Sequence, residues 1–260
     1  MLTGSVAGGF IAQHTSLGVP YVIRAVILGV TFVAAFLLMR DVGFEPNRSK
    51  RPIEETKRIL RDSLKHGLGN PPVRWVMLAS PFTDGVSIYA FYAMQPYLLQ
   101  LYGNKEAYGI AGLCAAIVAG AQIIGGLLVP HVSRFFRKRT SVLIAATAIS
   151  VAILALIGAI PNFWVAIVLL VVWGLMFATV SPVRQAYLNG LIGSERRATI
   201  LSFDSLLGSA GGVVAQPLLG RAADVWSYPA SYACSAAIQA LAIPFLWLAR
   251  RERAVSDNAS

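Results

Sequence analysis

At 260 residues, 56% hydrophobic and 13% charged, the chain falls well short of the charged quarter that a soluble domain uses to cover its surface. A net charge of +10 would suggest nucleic acid if it formed a patch on a soluble fold. Here the basic residues lie between long apolar stretches, which excludes nucleic acid as a partner and marks an all-α, multi-pass transmembrane bundle whose partner is the lipid bilayer.

The chain opens with a small, apolar run from Leu2 to Ala12, interrupted by Gln13 and His14. As a helix this run is about 17 Å long, little more than half of a hydrocarbon layer about 30 Å thick. It is not built as a secretory signal, because nothing basic precedes it and no cleavage site with a soluble domain follows. A full span is predicted from Tyr21 to Met39, so residues 1–40 hold a partial and a complete span. Residues 41–73 form a polar link with a short amphipathic helix: Pro52 suits its first turn, and Ile53, Ile59, Leu60 and Leu64 share a stripe. Glu54 and Arg58 sit one turn apart on its wet side, and Gly67, Gly69, Pro71 and Pro72 end it. It reads equally as a plain solvated linker or as a regulatory element.

Six further spans follow within residues 74–249, at approximately Arg74–Leu101, Ala107–Val129, Ser141–Ile160, Phe163–Val183, Thr199–Leu219 and Tyr228–Leu248. From Thr140 to Val183 no charged residue occurs, and Pro161-Asn162 marks the turn between two of these spans. Residues 250–260 form a basic tail. Neither Cys114 nor Cys234 has a ligand-spaced partner, so both read as small apolar-core residues and no metal or cofactor is expected.

Charge fixes the expected orientation. Nineteen Lys/Arg fall on one side, in the link, the 134–139 loop, the 193–198 loop, the tail, and at Arg40, Arg74 and Arg184; only Arg24, Lys105 and Arg221 fall on the other. The positive-inside rule then puts residues 41–73 and the C-terminus in the cytoplasm. The expected location is the plasma, or cell inner, membrane.

Three motifs point further. Gly4-Ser5-Val6-Ala7-Gly8-Gly9 resembles an antiporter motif of pattern Gly-Pro-x-x-Gly-Gly, with Ser5 in place of the proline. Residues 125–140, GGLLVPHVSRFFRKRT, resemble a degenerate loop motif Gly-x-Leu-x-Asp-x-x-Gly-Arg-Lys, retaining Arg137-Lys138 but losing the acidic position, with Phe136 for a glycine. Residues 181–202, SPVRQAYLNGLIGSERRATILS, are similar to a span connection that often ends Arg-Ala-Thr-x-x-Ser. In this order and spacing they resemble the major facilitator superfamily, whose twelve spans form two six-helix halves joined by a long cytoplasmic link. The resemblance implies that the chain corresponds to the end of the fifth span through the twelfth: a C-terminal six-helix half plus one and a half helices of the N-terminal half. Met1 would then fall partway along a span, in an N-terminally truncated chain; a short re-entrant helix is the alternative.

The residues suggest where transport would act. Asp84 lies ten residues after Arg74, about 15 Å along a helix and near mid-membrane. A carboxylate there costs about 2.5–3.5 kcal/mol on insertion scales, so it should face the bundle interior or a cavity. Phe91 and Gln95 fall on the same helical face, with Tyr89 and Tyr92 at its flanks. These residues, with Gln122 and Trp173, are the substrate-path candidates; Gln216 and Gln239 are further ones. Asp84 is also a candidate proton carrier, or a residue that only locks helices together. Asp204, five residues into its expected span, can reach Arg184 or Arg197 in a gate or structural ion pair. Gly4/Gly8 and Gly208/Gly212 have helix-packing spacing, and Ala121/Gly125 is a looser version.

Secondary active transport of a small molecule by alternating access follows as the expected function, with proton-coupled efflux as one form. An enzyme is not expected: His14, His66 and His131 lie in or beside connections, and no clustered catalytic constellation appears. A non-transporting seven-span receptor or scaffold is the alternative.

Overall fold

The computed structural model describes residues 2–39, 57, 61, 63–136 and 138–258. Helices α1 (Leu2–His14) and α2 (Gly18–Leu38) lead, and α3 (Pro71–Tyr102), α4 (Tyr108–Phe135), α5 (Arg139–Ala159), α6 (Phe163–Asn189) and α7 (Ser194–Val225) follow. The last rod is divided into α8 (Tyr228–Ala240) and α9 (Ala242–Arg251), and a 3-10 turn at Val255–Asp257 ends the described elements. Among the described residues there is no strand, only an isolated bridge between Lys138 and Asn258. The fold is an all-α helical bundle. The amphipathic helix expected around Pro52, Ile53, Glu54, Arg58, Ile59 and Leu60 lies outside the described residues, as do Arg40 and Arg137. Of its stripe, Leu64 opens a π-helical turn, Leu64–Leu68.

Among the described residues six helical stretches are long and apolar enough to cross a membrane: Gly18–Leu38, Tyr108–His131, Arg139–Ala159, Phe163–Asn189, Ser194–Val225 and Tyr228–Arg251. The seventh expected span is α3. Its 32 residues reach about 48 Å, but its centre is too polar for that set. It packs instead against α7, α8, α9 and α4, where polar groups find protein partners rather than lipid.

Local chemistry explains the ends. Asn162 caps α6, its side-chain oxygen accepting from the backbone N–H of Trp164 at 3.0 Å and of Val165 at 3.2 Å. Gly103 closes α3 in the left-handed region at φ 82°, where a Cβ would be strained. The expected single span Tyr228–Leu248 is interrupted at Leu241 because Pro244 has no N–H to give to the carbonyl of Ala240, and its ring crowds that carbonyl.

Close helix crossings rest on small residues. A Cβ on Gly85 would stand 2.6 Å from the carbonyl carbon of Gly211, and one on Gly208 would stand 2.5 Å from Asp84 Oδ2. α7 therefore lies against α3 with backbone nearly touching backbone. At the other contact a Cβ on Gly9 would stand 2.7 Å from the Tyr108 carbonyl, and one on Gly112 would stand 2.5 Å from that of Ser5. Gly4 and Gly8 make no such approach, with nothing within 4 Å. The face of α1 that meets α4 carries Ser5, Gly9 and Ala12; measured from Ser5, Gly8 lies about 60° and Gly4 about 100° around the helix, both on the side away from Gly9. The expected glycine pair is thus displaced by one residue.

Two buried clusters fill the bundle. One contains Tyr97, Tyr232, Trp173, Leu154 and Ile157, and the other Met77, Tyr187, Val142, Leu188 and Leu246. Cys114 is buried and Cys234 half-buried, both as free thiols.

Candidate functional site

Between α3, α5, α6, α8 and α9 lies a cavity of about 250 Å³. Asp84, Thr83 and Ser87 reach it from α3, Thr147 and Ser150 from α5, and Trp173, Phe177, Ser181, Arg184 and Gln185 from α6. Gln239 adds an amide from α8 and accepts from Ser150 Oγ at 3.2 Å. The hydroxyls on α5 are one helical turn apart, so a single face of an otherwise apolar helix carries both.

At one edge of the cavity three helices are tied by charge. Arg184 Nη1 donates to Asp204 Oδ2 at 2.7 Å and Nη2 to Oδ1 at 2.6 Å, a bidentate pair between α6 and α7. Ser80 of α3 donates to Asp204 Oδ1 at 2.9 Å and also accepts from Arg184. Asp204 and Ser80 are buried, and only 18% of the Arg184 side chain is exposed. Such a pair, fully satisfied, fixes one arrangement of the helices that carry it. Arg197 does not join it; its guanidinium donates to the carbonyls of Asn189 and Ile192 at 3.3 and 3.5 Å. α7 starts at Ser194 rather than Thr199, which puts Asp204 about 15 Å along the helix.

Asp84 sits beside this triad. Among the described residues it has no ion pair; Thr83 Oγ1 donates to its Oδ1 at 3.3 Å, and its Oδ2 lies over Gly208. The residues singled out on the same helix go elsewhere. Phe91 is half-buried against the tyrosine-rich cluster, and Tyr92 is exposed with its ring edge-on to Phe91 at 5.8 Å. Gln95 is exposed and lines an apolar groove toward α1 and α2. Tyr89 is buried and donates to Ser231 Oγ at 2.7 Å. Helical spacing does put Asp84, Phe91 and Gln95 on one stripe, but the stripe runs out of the cavity as it climbs. Trp173 is buried at the cavity wall, whereas Gln122 packs beside Gly174 outside the cavity lining. Gly212 is buried at the α3 contact, near Ile88 and the exposed Gln216.

Ser80, Thr147, Ser150 and Phe177 are among the site residues that the sequence reading passed over. Ser80 lies four residues before Asp84, so the same helical arithmetic reaches it. A second missed feature lies at the chain's end. The carboxylate of Asp257, 2% exposed, accepts from the backbone N–H of Thr140 at 2.8 Å and from Thr140 Oγ1 at 2.9 Å, at the first turn of α5. Arg139 donates to the Ser256 carbonyl at 2.8 Å. No metal-holding group of three or more His, Cys, Asp or Glu occurs among the described residues.

Comparison with known proteins bears on what this arrangement serves. The family model described as Major Facilitator Superfamily matches residues 1–160 and again residues 132–260, together the whole chain. No match to the chain is found among curated proteins.

Proposed function

Because the chain belongs to the major facilitator superfamily of membrane transporters, we propose that it carries a small molecule by secondary active transport, through the cavity at Asp84. The observation that carries this reading is a polar cavity inside an apolar bundle, bordered by an ion pair that ties three helices. Transport by alternating access requires a site near mid-membrane and helices that can take two arrangements. The cavity supplies the first. The Arg184–Asp204–Ser80 triad is suited to the second, as a latch: while it is closed, α3, α6 and α7 are held together at that edge, and opening there must separate Arg184 from Asp204.

In this reading α1 and α2 are counterparts of the fifth and sixth family spans, and α3 to α9 form the second six-helix half. The link and the tail face the cytoplasm of the plasma, or cell inner, membrane, supported by the nineteen-to-three distribution of basic residues. Asp84 carries the coupling proton in an exporter. Its surroundings support this role: it is a carboxylate without an ion-pair partner among the described residues, next to Arg184 and Asp204, where a change in its charge is felt by the latch.

The test is flux in everted membrane vesicles from cells expressing the gene at its chromosomal locus, against vesicles from a deletion strain. An imposed proton gradient should drive accumulation of a transported solute, and a protonophore should abolish it. Asp84→Asn should remove the gradient dependence, and Arg184→Ala should stop flux. Flux that requires ATP with the gradient collapsed would contradict secondary transport. Full flux with normal pH dependence in Asp84→Asn would remove the proton role alone.

A further inference from the structure

The charges around the cavity do not cancel. Among the described residues Arg184 is the one cationic side chain in the lining, and both ends of its guanidinium fork are spent on Asp204 and Ser80. Asp84 is left facing the space with a single neutral donor, the Thr83 hydroxyl. Taking Asp84, Arg184 and Asp204 together, the site holds one negative charge in excess. An anionic solute would meet that charge with no free cation to receive it, in surroundings where water screens weakly. A cation would meet a carboxylate already placed.

The aromatic part of the lining supports the same sign. The rings of Trp173 and Phe177 stack at 5.7 Å and 22° on α6 and both line the cavity. Indole and phenyl faces attract ammonium groups through their quadrupoles. Gln239, with the hydroxyls of Thr147 and Ser150, adds neutral groups that fix orientation without changing the charge. The volume, about 250 Å³, is just under the ~300–1,000 Å³ range usual for small-molecule sites.

We propose that this cavity binds a small organic monocation, an amine or quaternary ammonium with an apolar or aromatic body, its charge on Asp84 and its body against Trp173 and Phe177. The proposal rests on the transport reading for its biological sense, but its test is a binding measurement that stands apart from flux. The purified chain in lipid nanodiscs is titrated by calorimetry with three probes that share a phenyl ring and differ in charge: benzyltrimethylammonium, benzyl alcohol and benzoate. The cation should bind at least about tenfold more tightly than the other two. Asp84→Asn should lose that preference while still binding benzyl alcohol, and Asp84→Glu should keep it. Trp173→Leu should weaken the cation more than benzyl alcohol. Circular dichroism and gel filtration check that each variant keeps its fold.

Benzoate binding as tightly as the cation, an unchanged cation affinity in Asp84→Asn, or no binding of any probe would each overturn the proposal. Cation-selective binding without gradient-driven flux would leave it standing and remove the transport reading. Gradient-driven flux of an anion would do the reverse.

Discussion

Helices α2 and α3 reverse the rule learned from soluble proteins. α2 is apolar apart from Arg24 and Thr31 and has no buried residue, with Tyr21, Phe32, Phe36 and Leu38 each at least 70% exposed. α3 carries Ser80, Thr83, Asp84, Ser87 and two internal prolines, yet fifteen of its residues are buried. In water the apolar helix would be the core and the polar one the surface. In a bilayer the solvent is itself apolar, so hydropathy marks what faces lipid, while close packing and hydrogen bonds decide what lies inside. The site follows α3: polar side chains there are held by several neighbouring helices, whereas α2 packs mainly on α1.

That contrast can be broken by substitution, and the largest effect is expected at the buried charge. Arg184→Ala leaves Asp204 buried and unpaired, which should cost about 3–5 kcal/mol of stability, read as a lower midpoint in detergent-denaturant unfolding. Replacing both partners together, Arg184→Met with Asp204→Leu, should recover most of that loss if the pair acts on arrangement rather than on net stability.

Glycine contacts come next. Gly211→Leu drives a side chain into Pro81, whose carbonyl oxygen is 2.2 Å from where the Cβ would stand, and overpacking of this kind costs about 1–3 kcal/mol or more. Gly29→Leu on α2, with nothing within 4 Å, should leave the same unfolding curve in place. Equal losses at the two glycines would end the distinction between the helices. A smaller effect, about 1–2 kcal/mol, is expected for Asp257→Ala, which strips the N-terminal turn of α5 of its acceptor. Faster amide exchange at Thr140 is the sign to look for. Smallest of all, Phe36→Ala on α2 should change stability within about 0.5 kcal/mol; a larger loss would mean that Phe36 packs against another helix.

The same contrast explains what could be read from the sequence. Apolar stretches located α2 and α5 to within three residues at each end and the starts of α4 and α6 to within one, because lipid-facing surface must be apolar, but they ended α4 and α6 six residues early. They set the start of α7 five residues late, since Arg196 and Arg197 look like a loop but lie on its first turns. Charge marks where a helix leaves oil, whereas the backbone continues its hydrogen bonds beyond that edge. Asp84 stood out because an ionised group amid apolar neighbours needs a reason. Its company did not: Arg184 and Arg197 were equally open partners for Asp204 in one dimension, and only the crossing of α6 with α7 separates them. Phe91 and Gln95 show the limit of helical arithmetic, which finds a shared face but not the depth at which that face leaves the cavity. Asp257 had no local signal at all, as its partner lies 117 positions away.

That separation has a consequence during synthesis. A ribosome adding about 5–20 residues each second makes Thr140 about 6–23 s before the carboxylate that will receive its N–H. Until then the opening turn of α5 must rely on water or headgroups, and the bundle can be sealed at that corner only once the codon for Asp257 has been read.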